Sequence, residues 1–204
     1  MALNKEITES EGATAISILL LNNDLHLAYI GDSEAILINK DAQDAIELCP
    51  ELDLAAQNLQ EVNRVRQAGG IVLRVGETER VQGELEITRS FGATKYKPYV
   101  VTQPHLGHFD IREGNFLVMA SDGLWKVIKK AEVHKLVIKY KDNPENEIAE
   151  KLYEEAIRKD ATDNITIVVI NLEKRRKIKE REDLGVPPAP TSKYTKQNNK
   201  AFVF

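Results

Sequence analysis

The sequence predicts an α+β fold of layered sheet and helix, and three observations carry that expectation. Residues 13–39 hold two apolar runs rich in β-branched side chains, "TAISILLL" and "LHLAYIGDSEAILI", separated by "NND". Two helical patterns follow each other at residues 130–159, and strand-like "NFLVMASDG" and "NITIVVINL" bracket them. Helices set between two strand groups in a largely antiparallel order belong to a layered sandwich.

Taken in order, the runs at 13–39 read as two adjacent strands. The second is interrupted at "GDSE", where Gly31 and Asp32 place a turn or bulge and turn a carboxylate away from the ladder. Residues 53–68 read as a helix with the stripe Leu54, Leu59, Val62 and Val65, stopped by Gly69-Gly70. Strand-like "IVLRV" comes next, then the Gly-punctuated, loop-rich "VQGELEITRSFGATKYK", within which "GETERVQGE" reads as a surface loop lacking the setting of a phosphate loop. The segment around "QPHLGHFD" reads as a loop carrying two surface histidines, His105 and His108. "KAEVHKLVIKYK" reads as a helix in which His134 packs or is exposed. So does "NPENEIAEKLYEEAIRK", with Asn143 as N-cap, Pro144 at the first helical position, and Ile148, Leu152 and Ala156 on one face.

The 204 residues, 42% hydrophobic and 29% charged, suffice for one domain with a core and extra length. The division expected is a domain over 1–172 and a tail over 173–204. That tail runs from charged "EKRRKIKERED" to Pro-rich "LGVPPAPTSKYTKQNN" and ends on "KAFVF". It holds nine Lys or Arg against four Asp or Glu, so the body carries about nine of the negative charges behind the net −4. An acidic body lacks the clustered cations that phosphate backbones require, so nucleic acid is not expected as a partner. The longest apolar run, "AISILLL", falls far short of the roughly 20 residues of a membrane span. One cysteine, Cys49, and no secretory pattern at the N-terminus place the chain inside the cell, in the cytoplasm or on the cytoskeleton, with nuclear entry as another reading of the basic cluster in the tail.

Three carboxylates stand where strand-like runs stop: Asp32 in "GDSE", Asp122 in "ASDGLW" and Asp163 in "ATDNITIVV". Taken singly, each dipeptide makes a turn. Taken together, carboxylates at strand ends can converge at one rim of a sheet, and such oxygen sets hold hard divalent cations with water filling the remaining positions. Uncompensated, several ionised carboxylates in a dry site would cost several kcal/mol each, which favours a shared cation.

The segments "EGATA", "LAYIGDSEAIL", "LQEVNRVRQAGGIV", "RVQGELEITRSFG", "NFLVMASDGLW" and "DATDNITIVVI" follow one another over residues 11 to 172. In this order they resemble the motifs of the metal-dependent type 2C (PPM) protein serine/threonine phosphatases. The resemblance implies a β-sandwich flanked by helices, in α-β-β-α layers. It also implies a Mg²⁺ or Mn²⁺ cluster that activates water toward phosphoserine or phosphothreonine. It assigns Asp122 and Asp163 as ligands of one metal, with Gly123 beside them, and Asp32 as ligand of a more weakly held one.

Against that pattern, the family's first strands and its Asp-Gly-His-Gly-Gly motif, which bridges the metals, are expected to lie upstream of Met1. Ala93 and Lys126 stand where the family usually has Asp, and Glu34 stands where Arg is common. With Asp122 and Asp163 alone a Mg²⁺ keeps most of its waters, so the metal is expected to be absent or weakly bound, and Lys126 to repel it. The function expected is therefore a type 2C-like, non-catalytic regulatory or scaffold subunit, with a protein partner covering the missing strands and holding the tail. The alternative is a Mg²⁺- or Mn²⁺-dependent serine/threonine phosphatase acting on a phosphoprotein.

Overall fold

A computed structural model describes residues 11–50, 53 and 58–183. In chain order the elements are β1 (Gly12–Ala13), β2 (Ala15–Leu21), β3 (Asp24–Ile30), β4 (Glu34–Ile38), β5 (Ile46–Glu47), α1 (Leu59–Gln67), β6 (Val72–Val75), β7 (Thr78–Val81), β8 (Phe91–Gly92), β9 (His105–Asp110), β10 (Phe116–Ala120), α2 (Asp122–Trp125), α3 (Lys130–Lys139), α4 (Glu145–Arg158), β11 (Ile167–Asn171) and α5 (Leu172–Asp183). The fold is α+β, and contacts divide the described residues into two units, those within 1–34 and 48–109 and those within 35–47 and 110–204. Among the described residues no helix is long and apolar enough to cross a membrane.

In the first unit β2 and β3 pair antiparallel from Ala15↔Ile30 to Leu21↔Asp24, and β9 completes a three-stranded sheet in the order β2-β3-β9. Asn22, at φ 56°, turns the hairpin; asparagine tolerates this left-handed conformation better than most side chains. Helix α1 starts at Asn58, whose side chain accepts from the amides of Gln60 and Glu61, and stops at Gly69, whose φ of 87° gives a left-handed exit. Its buried face is Val62 and Val65, packed with Val81, Tyr96 and Val100. Leu59, placed on that stripe by its spacing, is instead 78% exposed in the first turn. Leu54 lies outside the described residues. The segment read as a surface loop after residue 75 forms half of an antiparallel hairpin, β6 with β7, registered from Val72↔Val81 to Val75↔Thr78. Residues 105–110, expected as a loop, form β9 because their alternating exposure fits a half-buried strand.

The second unit is built on a sheet in the order β11-β10-β4-β5. β10 and β11 pair antiparallel from Phe116↔Asn171 to Ala120↔Ile167. The core beneath them gathers Ile36, Ile38, Val118, Leu124, Val133, Val137, Ile148, Leu152 and Ile167. Full burial of side chains of this size contributes roughly 1.5–3 kcal/mol each. Ile148, Leu152 and Ala156 form the buried face of α4 as their spacing predicts. The N-cap differs: Pro144 occupies it without a side-chain bond, and the Asn143 amide reaches forward to Glu147 Oε2 at 2.9 Å. Helix α5 continues from β11 without a break. Leu172 is buried, the Arg176 guanidinium donates to the carbonyls of Ile111 and Gly114, and Glu173 pairs with Lys40. The start of the charged tail is thus docked by its first two turns.

Candidate functional site

Antiparallel pairing delivers the two assigned carboxylates to one place. β10 ends where β11 begins, and Ser121 extends the ladder by one step, its amide donating to Thr166 O at 3.0 Å and its Oγ accepting from the Thr166 amide at 3.0 Å. Asp122 then opens the short helix α2, and Asp163 stands just before β11. Gly123 is required between them: a Cβ there would lie 2.4 Å from Asn164 O, a backbone atom that cannot swing away. Trp125 closes the turn from behind, its indole donating to Ala120 O at 2.9 Å.

What lies between the carboxylates is the side chain of Lys126. Its Nζ is 2.5 Å from Asp122 Oδ2 and 3.2 Å from Asp163 Oδ2. Asp122 is one helical turn before Lys126, a spacing that brings the two side chains together on one face. The hydrogen bond to Asp122, helped by that to Asp163, holds the ammonium well above the ordinary lysine range. Reciprocally, the bond from Lys126 and one from the Asn164 amide hold the Asp163 carboxyl below its usual range. The lysine expected to repel a cation at this rim does more: it supplies one.

This donor set does not suit a divalent ion as it stands. Mg²⁺ takes about six oxygens in near-ideal octahedral geometry, whereas here two partly exposed carboxylates face an ammonium. Among the described residues no group of three or more His, Cys, Asp or Glu side chains is placed to hold a metal ion.

Asp32 belongs to the first unit, in the turn that follows β3. Gly31 has φ 98° and a Cβ there would strike Thr14 Cγ2 at 2.3 Å, so glycine is required at this turn. Thr14 Oγ1 and Ser33 Oγ, 3.4 Å apart, lie on either side of it. Glu34 follows, buried at the start of β4. Ala93 is buried and left-handed at φ 49°, a conformation that aspartate accepts more readily than alanine.

The turn at Gly31 is anchored by Asp53 and Arg89, to which no sequence motif assigns a role, together with His105. Asp53, fully buried, accepts from the Gly31 amide at 2.7 Å and from His105 Nε2 at 2.8 Å, with Arg89 Nε 3.3 Å away. Burial raises the Asp53 carboxyl above its usual range against those bonds. Arg89 also reaches Glu61 Oε1 at 2.7 Å, and Glu61 accepts from Arg64 and from Thr88 Oγ1 at 2.9 Å. Burial pushes the Glu61 carboxyl up, but the bonds from Arg89, Arg64 and Thr88 outweigh it and bring it down to about 2. His105 is therefore a largely buried network residue, not a surface histidine. His108 is exposed as expected and pairs with Asp24 at 3.0 Å. His134 is buried in α3.

An α+β protein that sets Asp-Gly and Asp-Asn carboxylates face to face at one end of an antiparallel pair has the architecture of a type 2C phosphatase domain. Comparison with known families agrees: residues 1–165 match the model described as "Protein phosphatase 2C". The chain belongs to that family. It is 37% identical over 164 residues to "Probable protein phosphatase 2C 52" of Oryza sativa subsp. japonica, covering 80% of this chain and 32% of that protein. It is likewise 37% identical over 164 residues to "Probable protein phosphatase 2C 71" of Arabidopsis thaliana, covering 80% and 35%. Among solved structures it resembles a C. elegans sex determining protein, with TM-score 0.72, 23% identity and coverage of 81% of this chain and 42% of that one. It also resembles serine-threonine phosphatase 2C from Toxoplasma gondii, with TM-score 0.66, 21% identity and coverage of 82% and 59%. The chain thus spans about a third of the length of these two plant relatives.

Proposed function

We propose that this chain is a type 2C phosphatase-like protein with a non-catalytic role, as a regulatory or scaffold subunit. The observation that carries the reading is the Lys126 ammonium seated against both Asp122 and Asp163. A divalent ion about 4 Å from that ammonium meets a repulsion of roughly 2 kcal/mol in water-like surroundings and roughly 8 kcal/mol at an effective dielectric constant near 20. Swinging the half-exposed lysine aside forfeits two ion pairs worth on the order of 1 kcal/mol each. Either route weakens metal binding by an order of magnitude or more in a pair of carboxylates that already leaves most of a Mg²⁺ shell to water. Ala93 adds to the reading, since no carboxylate stands at that family position either. The partner of such a subunit is a protein; among the described residues β2 ends its sheet as an edge strand, a natural acceptor for a strand from another polypeptide.

A second reading, a Mg²⁺- or Mn²⁺-dependent phosphatase acting on phosphoserine or phosphothreonine, is favoured by the carboxylates at 32, 122 and 163 and by the names of the relatives. The two separate in one assay, the hydrolysis of a phosphoserine peptide by this chain in millimolar Mn²⁺. The non-catalytic reading expects no turnover above buffer. Manganese-dependent turnover abolished by Asp122→Ala would establish the enzyme instead.

A further inference from the structure

We infer that the cavity beside the first turns of α5 is a docking site for a segment of this same chain, the apolar residues 201–204 and the lysines that precede them. The site lies within the second unit, at the start of β10, whereas Asp122 stands past the end of that strand.

The cavity has a volume of about 670 Å³, and its lining includes Leu37, Ala42 and Ile46 together with Asp110, Arg112 and Glu113. Volumes of roughly 300–1,000 Å³ are those of sites that hold a specific ligand. Leu37 is buried, while Ile46, on the short edge strand β5, is 54% exposed. Arg112 is turned back onto its neighbour, its Nε donating to Asp110 Oδ2 at 2.7 Å. Glu113 is exposed and enters no ion pair among the described residues. The cavity thus presents apolar surface beside an acidic margin.

Charge, composition and reach select the occupant. Residues 39–47 and 110–114, which supply the lining, hold five Asp or Glu against two Lys or Arg. Residues 184–204 carry Lys193, Lys196 and Lys200 and no acid, so the two surfaces are complementary in sign. The lysines lead into Phe202, Val203 and Phe204, and phenylalanine rings bury roughly 150–250 Å² each when they find an apolar site. Helix α5 is seated on the same wall: Arg176 donates to the carbonyls of Ile111 and Gly114, beside the lining. From Arg176 the helix runs only about 10 Å further to Asp183, at about 1.5 Å per residue. The 17 residues 184–200 can span up to roughly 56 Å, several times the distance needed to return. A tether of this kind holds its end at an effective concentration on the order of millimolar, so a contact too weak to retain a free peptide is occupied within the chain.

The test is nuclear magnetic resonance on the full 204-residue chain with a nitroxide attached at Asn198→Cys; Cys49 is buried, which directs the label to residue 198. The amide signals of Ile46, Glu113 and Gly114 should lose most of their intensity relative to the same sample with the nitroxide reduced, and the loss should fall off along β10 toward Ala120. Phe202→Ser combined with Phe204→Ser should restore most of that intensity, and Glu113→Lys part of it; unchanged thermal melting of each variant certifies its fold. Lys126→Ala should leave the pattern as it is, which separates this site from the fate of the Asp122 pair. In a mixture of nitroxide-bearing chains with isotope-labelled chains that lack the nitroxide, no loss is expected; a loss there would give the site to a second copy and overturn the assignment. Absence of selective loss in the single chain, or loss that survives replacement of both phenylalanines, overturns it as well.

Discussion

Replacing Glu61 by glutamine keeps the shape of a buried side chain and removes the charge that two arginines face. In the native chain its carboxylate collects bonds from Arg64 at 2.9 and 3.1 Å, from Arg89 at 2.7 and 3.0 Å, and from Thr88 at 2.9 Å. Those bonds lower the carboxyl from 4.5 to about 2, although burial alone would raise it. At about 1.4 kcal/mol for each tenfold change, that gap is worth about 3 kcal/mol of stability. It agrees with the roughly 3–5 kcal/mol cost of breaking a buried ion pair by removing one partner. Because the folded value lies below the unfolded one, the contribution is complete above pH 4.5 and is lost as pH falls toward 2. Urea unfolding followed by circular dichroism should therefore show Glu61→Gln less stable than the native chain by about 3 kcal/mol at pH 7, and by only about 1 kcal/mol at pH 3. An equal difference at the two pH values, or one below about 1 kcal/mol at pH 7, would refute the view that a charged network holds this unit together.

Two further substitutions probe the sites from other directions. Gly123→Ala drives a methyl group against Asn164 O, so the turn carrying Asp163 must move, and thermal unfolding should register a loss of roughly 1–3 kcal/mol; an unchanged melting temperature would contradict the close packing. Lys97 buries its Nζ with no hydrogen-bond partner, and burial, reinforced by the nearby Arg64 cation, lowers its pKa. Lys97→Met should stabilise the chain by roughly 1 kcal/mol in denaturant titration, and a clear destabilisation would mean that the ammonium does useful work there.

Much of this architecture is readable along the chain, for identifiable reasons. Helix α4 and strands β10 and β11 carry unbroken apolar periodicity, and local pattern and tertiary burial agree in them. The Asp122 and Asp163 pair was legible because both residues end or precede such strands. The role of Lys126 was legible only in sign: its identity marks a positive charge at the rim, but seating that charge against both carboxylates depends on the helical turn of α2 and on the β10–β11 register. Asp53 was hidden for a different reason. The sequence reads it as the first residue of a helix over 53–68, whereas the described helix starts at Leu59, and its partners Gly31, Arg89 and His105 are scattered across some 75 residues, so only folding brings them together. Leu59 misled because spacing alone cannot distinguish the first turn of a helix, which can project past the core, from the turns that face it.

The central claim is that an internal ammonium holds the seat a divalent metal would take, and Mn²⁺ binding followed by electron paramagnetic resonance tests it most directly. The native chain should leave Mn²⁺ essentially free until millimolar concentrations. Lys126→Ala should bind it roughly 30-fold more tightly, the equivalent of two surface ion pairs, and lose that gain when Asp163→Ala is added. Micromolar Mn²⁺ binding by the native chain that disappears in Asp122→Ala would contradict the account.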